Sequence, residues 1–299
     1  MTVQFYVKPH THFCLGENLK LLYVCKADKK QTVIPSVLHS HENCLEMVYI
    51  YEGKGRHMID HQFYATEKGD LLIYNRGILH DECANPDVGM GVYNCGITGL
   101  RLPGLPPNTL IPNHVMPVLH CGEYQKSICD LFDLMHKQVS EQYARAENTA
   151  FYILHALLNM VLHQIPLSEQ TTTAIGEKNL SLYIKHYIDN HYLEIDKLED
   201  LRDNLHISLS YLSFLVKKET GLSPMQYVMR RKIGKAQSLL ITTDYNITKI
   251  AALVGYDKVS HFNELFKRNV KMSPGQYRRY SIGDKDSEKM ELIRSLKLI

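Results

Sequence analysis

Apolar positions change their period along the chain. Between residues 19 and 77 they come in short runs: LKLLYVCKA (19–27), LEMVYIYEG (45–53), GRHMIDHQFYA (55–65) and GDLLIYNRG (69–77), each bounded by Gly, Asp or Asn. Runs of this length and punctuation predict β-strands, and residues 1–120 together predict an all-β barrel or jelly roll. Residues 100–117 contain five prolines. Proline cannot donate a backbone hydrogen bond, so this stretch is expected to lie as a strap over the barrel. From residue 123 the spacing becomes helical. Ile128, Leu131, Phe132, Met135 and Val139 share one side of 123–143, and 148–165 is apolar around much of its circumference, as in a helix packed between neighbours. This hairpin (121–166) has more apolar surface than one neighbour covers and is expected to form a dimer interface; the competing reading is that it closes the barrel's open end. The polar stretch 167–178 reads as a linker, 180–192 as the helix opening a second domain (179–282), and 283–299 as a tail with no partner pattern.

Within that second domain the pattern occurs twice. Residues 207–232 align with 257–282 at an offset of 50, pairing Leu212 with Phe262, Leu215 with Leu265, Val216 with Phe266, Lys217 with Lys267 and Ser223-Pro224 with Ser273-Pro274. Upstream the offset drops to 49, pairing Leu205 with Val254. Two ordered copies at this spacing mean one supersecondary unit used twice. In the second copy Gly255 ends a helix, Asp257 is the expected N-cap of the next, and Phe262, Leu265 and Phe266 form its buried stripe. The segment 223–241 reads as a connecting helix of roughly 17 residues, about 25 Å long. Such a rod suits two recognition helices entering successive major grooves roughly 34 Å apart.

These residues carry a family resemblance. LHIS-x-SYLS-x-L-x-KKETGLSP (205–224) and I-x-x-IA-x-x-VGY-x-x-x-S-x-F-x-x-x-FKR-x-x-x-MSP-x-QYRR (247–279) resemble the DNA-binding domain of AraC/XylS-family transcription regulators over about 100 residues. The resemblance implies an α+β multidomain chain: a cupin-like barrel (jelly roll) with a helical hairpin, then an all-α domain of two helix-turn-helix units joined by a long helix. It further implies activation of nearby genes. Phe214 and Glu264 stand where family members usually carry arginine, Lys271 replaces the glycine that Gly221 keeps in the first unit, and Arg202 occupies the position of Ala251.

The expected groove-facing residues are Leu209, Ser210, Ser213, Phe214 and Lys217 in the first unit, and Val259, Ser260, Asn263, Glu264 and Lys267 in the second. Asn263 suits adenine, Glu264 a cytosine amino group, and Phe214 or Leu209 a thymine methyl. Lys217, Lys218, Lys267, Arg268, Arg278 and Arg279 are expected on phosphates. The expected partners are double-stranded DNA across two adjacent major grooves, a small-molecule effector, a second copy of the chain, and RNA polymerase.

Charge agrees with this division. The chain's 299 residues suit two domains, and its net charge of +2 hides an asymmetry. Residues 1–166 hold 13 Lys and Arg against 16 Asp and Glu, whereas 217–279 hold 13 against 4. The basic excess points to a polyanion partner for the second half. No apolar segment reaches the ~20 residues of a membrane span, and the start, MTVQFYVKPHTHF, has no apolar core behind basic residues. A cytoplasmic protein with no membrane partner is expected. Seven cysteines without a C-x-x-C pair read as free thiols in a reducing compartment, buried and inert.

One further constellation lies in the N-terminal half. His39-x-His41-x4-Glu46-x6-Gly53 precedes Gly69-x7-Gly77-x2-His80, a spacing that resembles the two cupin motifs, with Asn75 at the usual proline position. His39 and His41, two apart on a strand, face the same side. Imidazole and carboxylate donors around one point suit a divalent Zn, Mn, Fe or Ni ion. The alternative is a small-molecule pocket in which His39, His41, Glu46 and His80 fix a polar, sugar-like effector, with Tyr49, Tyr51, Tyr64 and Tyr74 adding apolar faces and hydroxyls. The chain has no Gly-rich phosphate loop and no G-x-S-x-G elbow. The reading is a ligand-responsive DNA-binding regulator and not an enzyme. Its rivals are a metal-dependent cupin enzyme, such as an isomerase or dioxygenase, and a thiol redox sensor, each with a DNA-binding tail.

Overall fold

Strand β3 (Leu45–Ile59) ties the N-terminal half together, because its two ends belong to different sheets. Its first half pairs with β5 (Asp70–Tyr74) and β7 (Met90–Thr98), and its second with β4 (Gln62–Glu67) and β6 (His80–Ala84). Strands β1 (Lys20–Ala27) and β8 (Val118–His120) extend the first sheet on β7 and β5, and β2 (Ser36–His39) extends the second on β6. All pairings are antiparallel. The expected break between 45–53 and 55–65 is absent. Gly53 (φ 79°) bends a continuous strand just past a register shift, and a Cβ there would stand 2.1 Å from the Gly89 carbonyl oxygen. Glycine thus marks a bulge at the sheet corner and not a turn.

This is a computed structural model, and it describes residues 14–32, 36–60, 62–84, 89–112, 115–165 and 177–282. Most of the linker stretch 167–178 and the whole tail 283–299 fall outside the described residues.

Two layers cover the barrel. Helices α1 (Gln125–Ser140) and α2 (Ala146–Gln164) bury Ile128, Phe132, Met135, Leu154, Leu157, Leu158 and Val161 against the first sheet, where Phe132 stacks on Tyr49 and Tyr93 at 5.9 Å each. Capping of the barrel therefore consumes the hairpin's main apolar stripe. Leu134, Val139 and Tyr152 remain exposed on it. Asn75 fastens the proline-rich strap by copying a strand neighbour: its Oδ1 accepts from Leu110 N–H at 2.8 Å and its Nδ2 donates to the Ile111 carbonyl at 2.8 Å.

The second layer is the all-α domain: α3 (Glu177–His191), α4 (Leu198–Leu205), α5 (Leu209–Thr220), α6 (Pro224–Thr242), α7 (Ile247–Leu253), α8 (Val259–Val270) and α9 (Pro274–Ile282). Leu212, Leu215, Val216, Phe262 and Phe266 of the stripes that the repeat marks are buried, while Leu265 is half-buried against the same cluster. Ser223 caps α6 in a reciprocal box with Gln226, with Pro224 at the first helical position, and α6 runs 19 residues, about 28 Å. Gly221 and Lys271 end the two recognition helices in the same left-handed conformation, at φ 68° and 69°. Asp257 is not the cap of α8. The cap position is Lys258, and no side chain bonds the first turn there.

The barrel and the all-α domain share one apolar core. Val37, Leu38, Met58 and Leu79 of the barrel belong to the same buried cluster as Ile233, Ala236, Leu240 and Phe266 of the helical domain.

Candidate functional site

Strand alternation puts Glu46, Val48 and Ile50 inside the barrel and turns Tyr49 outward, beneath the hairpin. His39 ends β2, His80 begins β6 opposite it in register, and His41 follows β2 by two residues. The result is a tight group: the donor atoms of His39, His41, Glu46 and His80 lie within 4.8 Å of one another. Glu46 and His80 are buried and the other two are half-buried.

The bonds around this group orient it. Glu46 Oε1 accepts from Tyr23 Oη at 2.7 Å and Asn94 Nδ2 at 3.4 Å, which turns Oε2 toward the imidazoles. Oε2 lies 3.1 Å from His41 Nε2 and 3.3 Å from His80 Nε2. The Nδ1 atoms of His39 and His80 face the carbonyls of Val37 and Ile78 at 3.0 and 2.9 Å. A carbonyl only accepts, so Nδ1 carries the proton and Nε2 is the acceptor nitrogen in each neutral ring. His80 Nε2 is buried, and despite its closeness to Glu46 it has no partner in hydrogen-bond geometry. Tyr74 stacks on the His80 ring at 3.9 Å, and its hydroxyl lies 3.3 Å from His57 Nδ1.

Protonation follows burial and neighbours. Burial and the other two imidazoles push His39 well below its ordinary value. For His41 burial also lowers the pKa, but the charge and hydrogen bond of Glu46 outweigh it and raise it. Burial would raise the Glu46 carboxyl, yet His41, aided by His80, holds it well below the usual range. These donors form a set that fits a divalent transition metal: three imidazoles and one carboxylate, pre-oriented by outer hydrogen bonds. Their donor atoms, all within 4.8 Å of one another, are close enough to converge on one ion.

The tyrosines expected around an effector divide. Tyr74 touches the cluster. Tyr49 and Tyr51 do not: they lie on the sheet's outer face, donating to the carbonyls of Gln125 and Ala27. Tyr64 lines a separate cavity of about 350 Å³ beneath the strap, with Asp60, Gln62, Asn75, Ile111 and Met116. None of the four cluster residues lines that cavity.

In the helical domain, Ser210, Phe214, Lys217 and Lys218 on α5 and Ser260, Glu264, Lys267 and Arg268 on α8 are exposed, with Leu209, Ser213 and Val259 half-buried beside them. Phe214 is 56% exposed and stacks with Tyr211, an exposed aromatic that the sequence reading passed over. The two recognition helices thus present outward faces in the same register, one on each unit.

Two family patterns match this chain, the AraC-like ligand binding domain over residues 31–155 and a helix-turn-helix domain over 201–280. The chain belongs to the AraC/XylS family. It is a transcription regulator with a ligand-binding domain and a DNA-binding helix-turn-helix domain. It is 28% identical over 244 residues to the HTH-type transcriptional regulator YdiP of Escherichia coli K12, covering 81% of this chain and 80% of that one. It is 24% identical to the HTH-type transcriptional activator RhaS of Enterobacter sp. 638, covering 80% and 86%. Among solved structures it is similar to fatty-acid-bound ToxT of Vibrio cholerae, at 14% identity and TM-score 0.41, covering 90% and 97%.

For this AraC/XylS regulator the structure corrects two DNA contacts. Arg278 is not available to phosphate, because its guanidinium donates to the carbonyls of Leu240, Thr243 and Tyr245 at 3.0, 3.3 and 2.6 Å and so caps the end of α6. Asn263 does not offer both amide atoms to a base, since its Oδ1 is buried without a partner. Further basic residues are committed internally: Arg230 to Asp81 at 2.6 Å, Arg231 to Asp189 at 3.0 Å and Lys232 to Asp196 at 3.0 Å. The thiol-sensor reading loses Cys44, since burial pushes its pKa up to about 12 and leaves little thiolate. Cys14 is exposed.

Proposed function

We propose that this regulator activates transcription as a homodimer, placing α5 and α8 in successive major grooves when an effector occupies the barrel. The observation that carries this reading is that the same polar and cationic positions are exposed on both recognition helices, whose units are joined by one 19-residue helix. Phe214, Ser213, Ser260 and Glu264 are the residues we assign to bases, and Lys217, Lys218, Lys267, Arg268 and Arg279 those we assign to phosphates. Activation is the role named for the similar activator RhaS, and RNA polymerase in the cytoplasm is the partner that role calls for. No helix among the described residues is long and apolar enough to cross a membrane. The exposed Leu134, Val139 and Tyr152 of the hairpin support pairing with a second copy.

The organic effector is assigned to the 350 Å³ cavity under the strap, where the apolar Ile59, Ile78, Ile111 and Val115 surround the polar Asp60, Gln62, Tyr64 and Asn75. The role is sensing and not turnover. Footprinting of the purified chain on its own upstream region, with and without small metabolites, tests this. Protection of two segments about 10 base pairs apart on one face of the duplex is the expected result. Uniform weak protection on any sequence would count against it, and turnover of a metabolite would favour the enzyme reading.

A further inference from the structure

We propose that His39, His41, Glu46 and His80 bind one divalent transition-metal ion, and that this ion sets how firmly the DNA-binding domain is seated on the barrel. The binding half of the argument starts at His80. With Nδ1 donating to Ile78, Nε2 points a lone pair at the Glu46 carboxylate 3.3 Å away, buried and outside hydrogen-bond geometry. A buried lone pair and a carboxylate oxygen at that distance need a positive charge between them, either a proton shared with Glu46 or a metal ion. The 3.1 and 3.3 Å separations from Glu46 Oε2 are also those of donors around one ion, since bonds of about 2.0–2.1 Å in a tetrahedral shell place neighbouring donors roughly 3.3 Å apart. The outer shell of a metal site is in place as well. Carbonyls hold the Nδ1 atoms of His39 and His80, and Tyr23 and Asn94 hold the distal oxygen of Glu46. The half-buried His39 and His41 provide the way in.

The seating half lies two residues away. Helix α6 rests on β2, the strand that ends in His39, through Gly234 and Gln237, and reaches β6, which begins at His80, through Arg230 on the same face. Gln237 Oε1 accepts from Val37 N–H at 2.8 Å, and the carbonyl of the same Val37 holds His39. Arg230 Nη2 pairs at 2.6 Å with Asp81, the residue after His80. Between them Gly234 packs so closely that a Cβ would stand 2.0 Å from the Leu38 carbonyl oxygen. α8 also touches β2, so the second recognition helix shares the same support. An ion that draws His39 and His80 together therefore fixes the two strands on which α6 is seated, a coupling of two sites through one packed element. The consequence for gene control rests on the regulator reading above; ion binding and seating do not.

The test uses the full chain stripped with chelator, then supplied with Zn²⁺ alone or Ni²⁺ alone and desalted. Metal content by mass spectrometry should reach one ion per chain, and Glu46→Gln should weaken binding by at least about tenfold. Hydrogen exchange of peptides covering 36–41 and 229–238 should slow at least about fivefold on loading. Gly234→Ala, which cannot seat α6, should keep the ion and lose the protection of 229–238; Arg230→Ala should do the same if the glycine variant misfolds. Substoichiometric metal, or metal unaffected by Glu46→Gln, overturns the site. A bound ion that leaves exchange in 229–238 unchanged, or equal protection in Arg230→Ala, overturns the coupling. Neither readout needs DNA, so absence of DNA binding would count against the regulator reading alone.

Discussion

Arg230 Nη2 lies 2.6 Å from Asp81 Oδ2, across the boundary between the helical domain and the barrel. Asp81 is 4% exposed at its side chain and also accepts from Met58 N–H at 2.7 Å. Burial nevertheless keeps the Asp81 pKa above its ordinary value, against the pull of Arg230. The pair therefore costs about as much to desolvate as it returns, and its worth lies in fixing where α6 sits. Removing one partner should still be damaging. Arg230→Leu should cost about 2–3 kcal/mol, below the 3–5 of a fully enclosed pair because the arginine keeps some exposure. Asp81→Asn combined with Arg230→Leu should cost less than the sum of the single changes. Urea unfolding of the four proteins measures this, and strict additivity would show that the pair does not fix the seat.

The repeat permits a comparison inside one molecule. Gly221 and Lys271 end α5 and α8 at φ 68° and 69°. Only glycine takes that conformation without Cβ strain, so Lys271→Gly should stabilise the chain by about 1 kcal/mol, and Gly221→Ala should destabilise it by a similar amount. Lys271 Nζ bonds the Arg268 carbonyl at 3.1 Å, an exposed contact too weak to reverse the sign. Thermal denaturation reads both changes, and a lower midpoint for Lys271→Gly would contradict the strain argument.

How much of this was legible depended on how local each signal was. The αL cap at Lys271 followed from aligning two copies, and the buried stripes from their spacing. The clustering of His39, His41, Glu46 and His80 followed from strand parity and motif spacing. Parity also held the answer for Tyr49, which is three residues from Glu46 and so faces the other way. Gly53 and Gly55 read as a turn, because a bulge and a turn use the same residue. Gly234 was a readable warning, since glycine in mid-helix costs about 1 kcal/mol against alanine and implies close approach. What it approaches, the carbonyl of Leu38, lies nearly 200 residues away in sequence, like the Val37 partner of Gln237. Arg278 was misread for the same reason, because capping a helix 33–38 residues upstream leaves no local pattern.

His57 supplies the pH dependence. Burial, with His80 nearby, lowers its pKa to about 4, whereas in the unfolded chain it titrates near 6.5. Between these values the unfolded state takes up a proton that the folded state refuses, so stability falls as the pH drops through that window and rises again on return. The contribution is about 3 kcal/mol once pH is below about 4. His57→Gln, which cannot titrate, should lose about that much less between pH 6.5 and 4 than the wild type. Parallel acid limbs in urea titrations of the two proteins would place the acid sensitivity elsewhere.

The adjacent arginines at the end of the chain's described region separate folding from DNA contact. Arg279 is exposed, while Arg278 is spent on three carbonyls. Arg278→Ala strands those carbonyls and should destabilise the domain by about 1–3 kcal/mol. Arg279→Ala should leave stability within about 0.5 kcal/mol and weaken binding to every duplex alike, reducing the salt slope by about 1, as loss of a phosphate contact does. Lys267→Ala should behave as Arg279→Ala. Glu264→Ala and Phe214→Ala should instead alter the ranking of site variants, each at one base position, by about 1–3 kcal/mol. Asn263→Ala should have a smaller effect on ranking, because its carbonyl oxygen is buried. Affinities measured over a series of single-base substitutions at several salt concentrations distinguish these outcomes. If Glu264→Ala and Phe214→Ala lower all affinities equally, α5 and α8 do not read bases through these side chains.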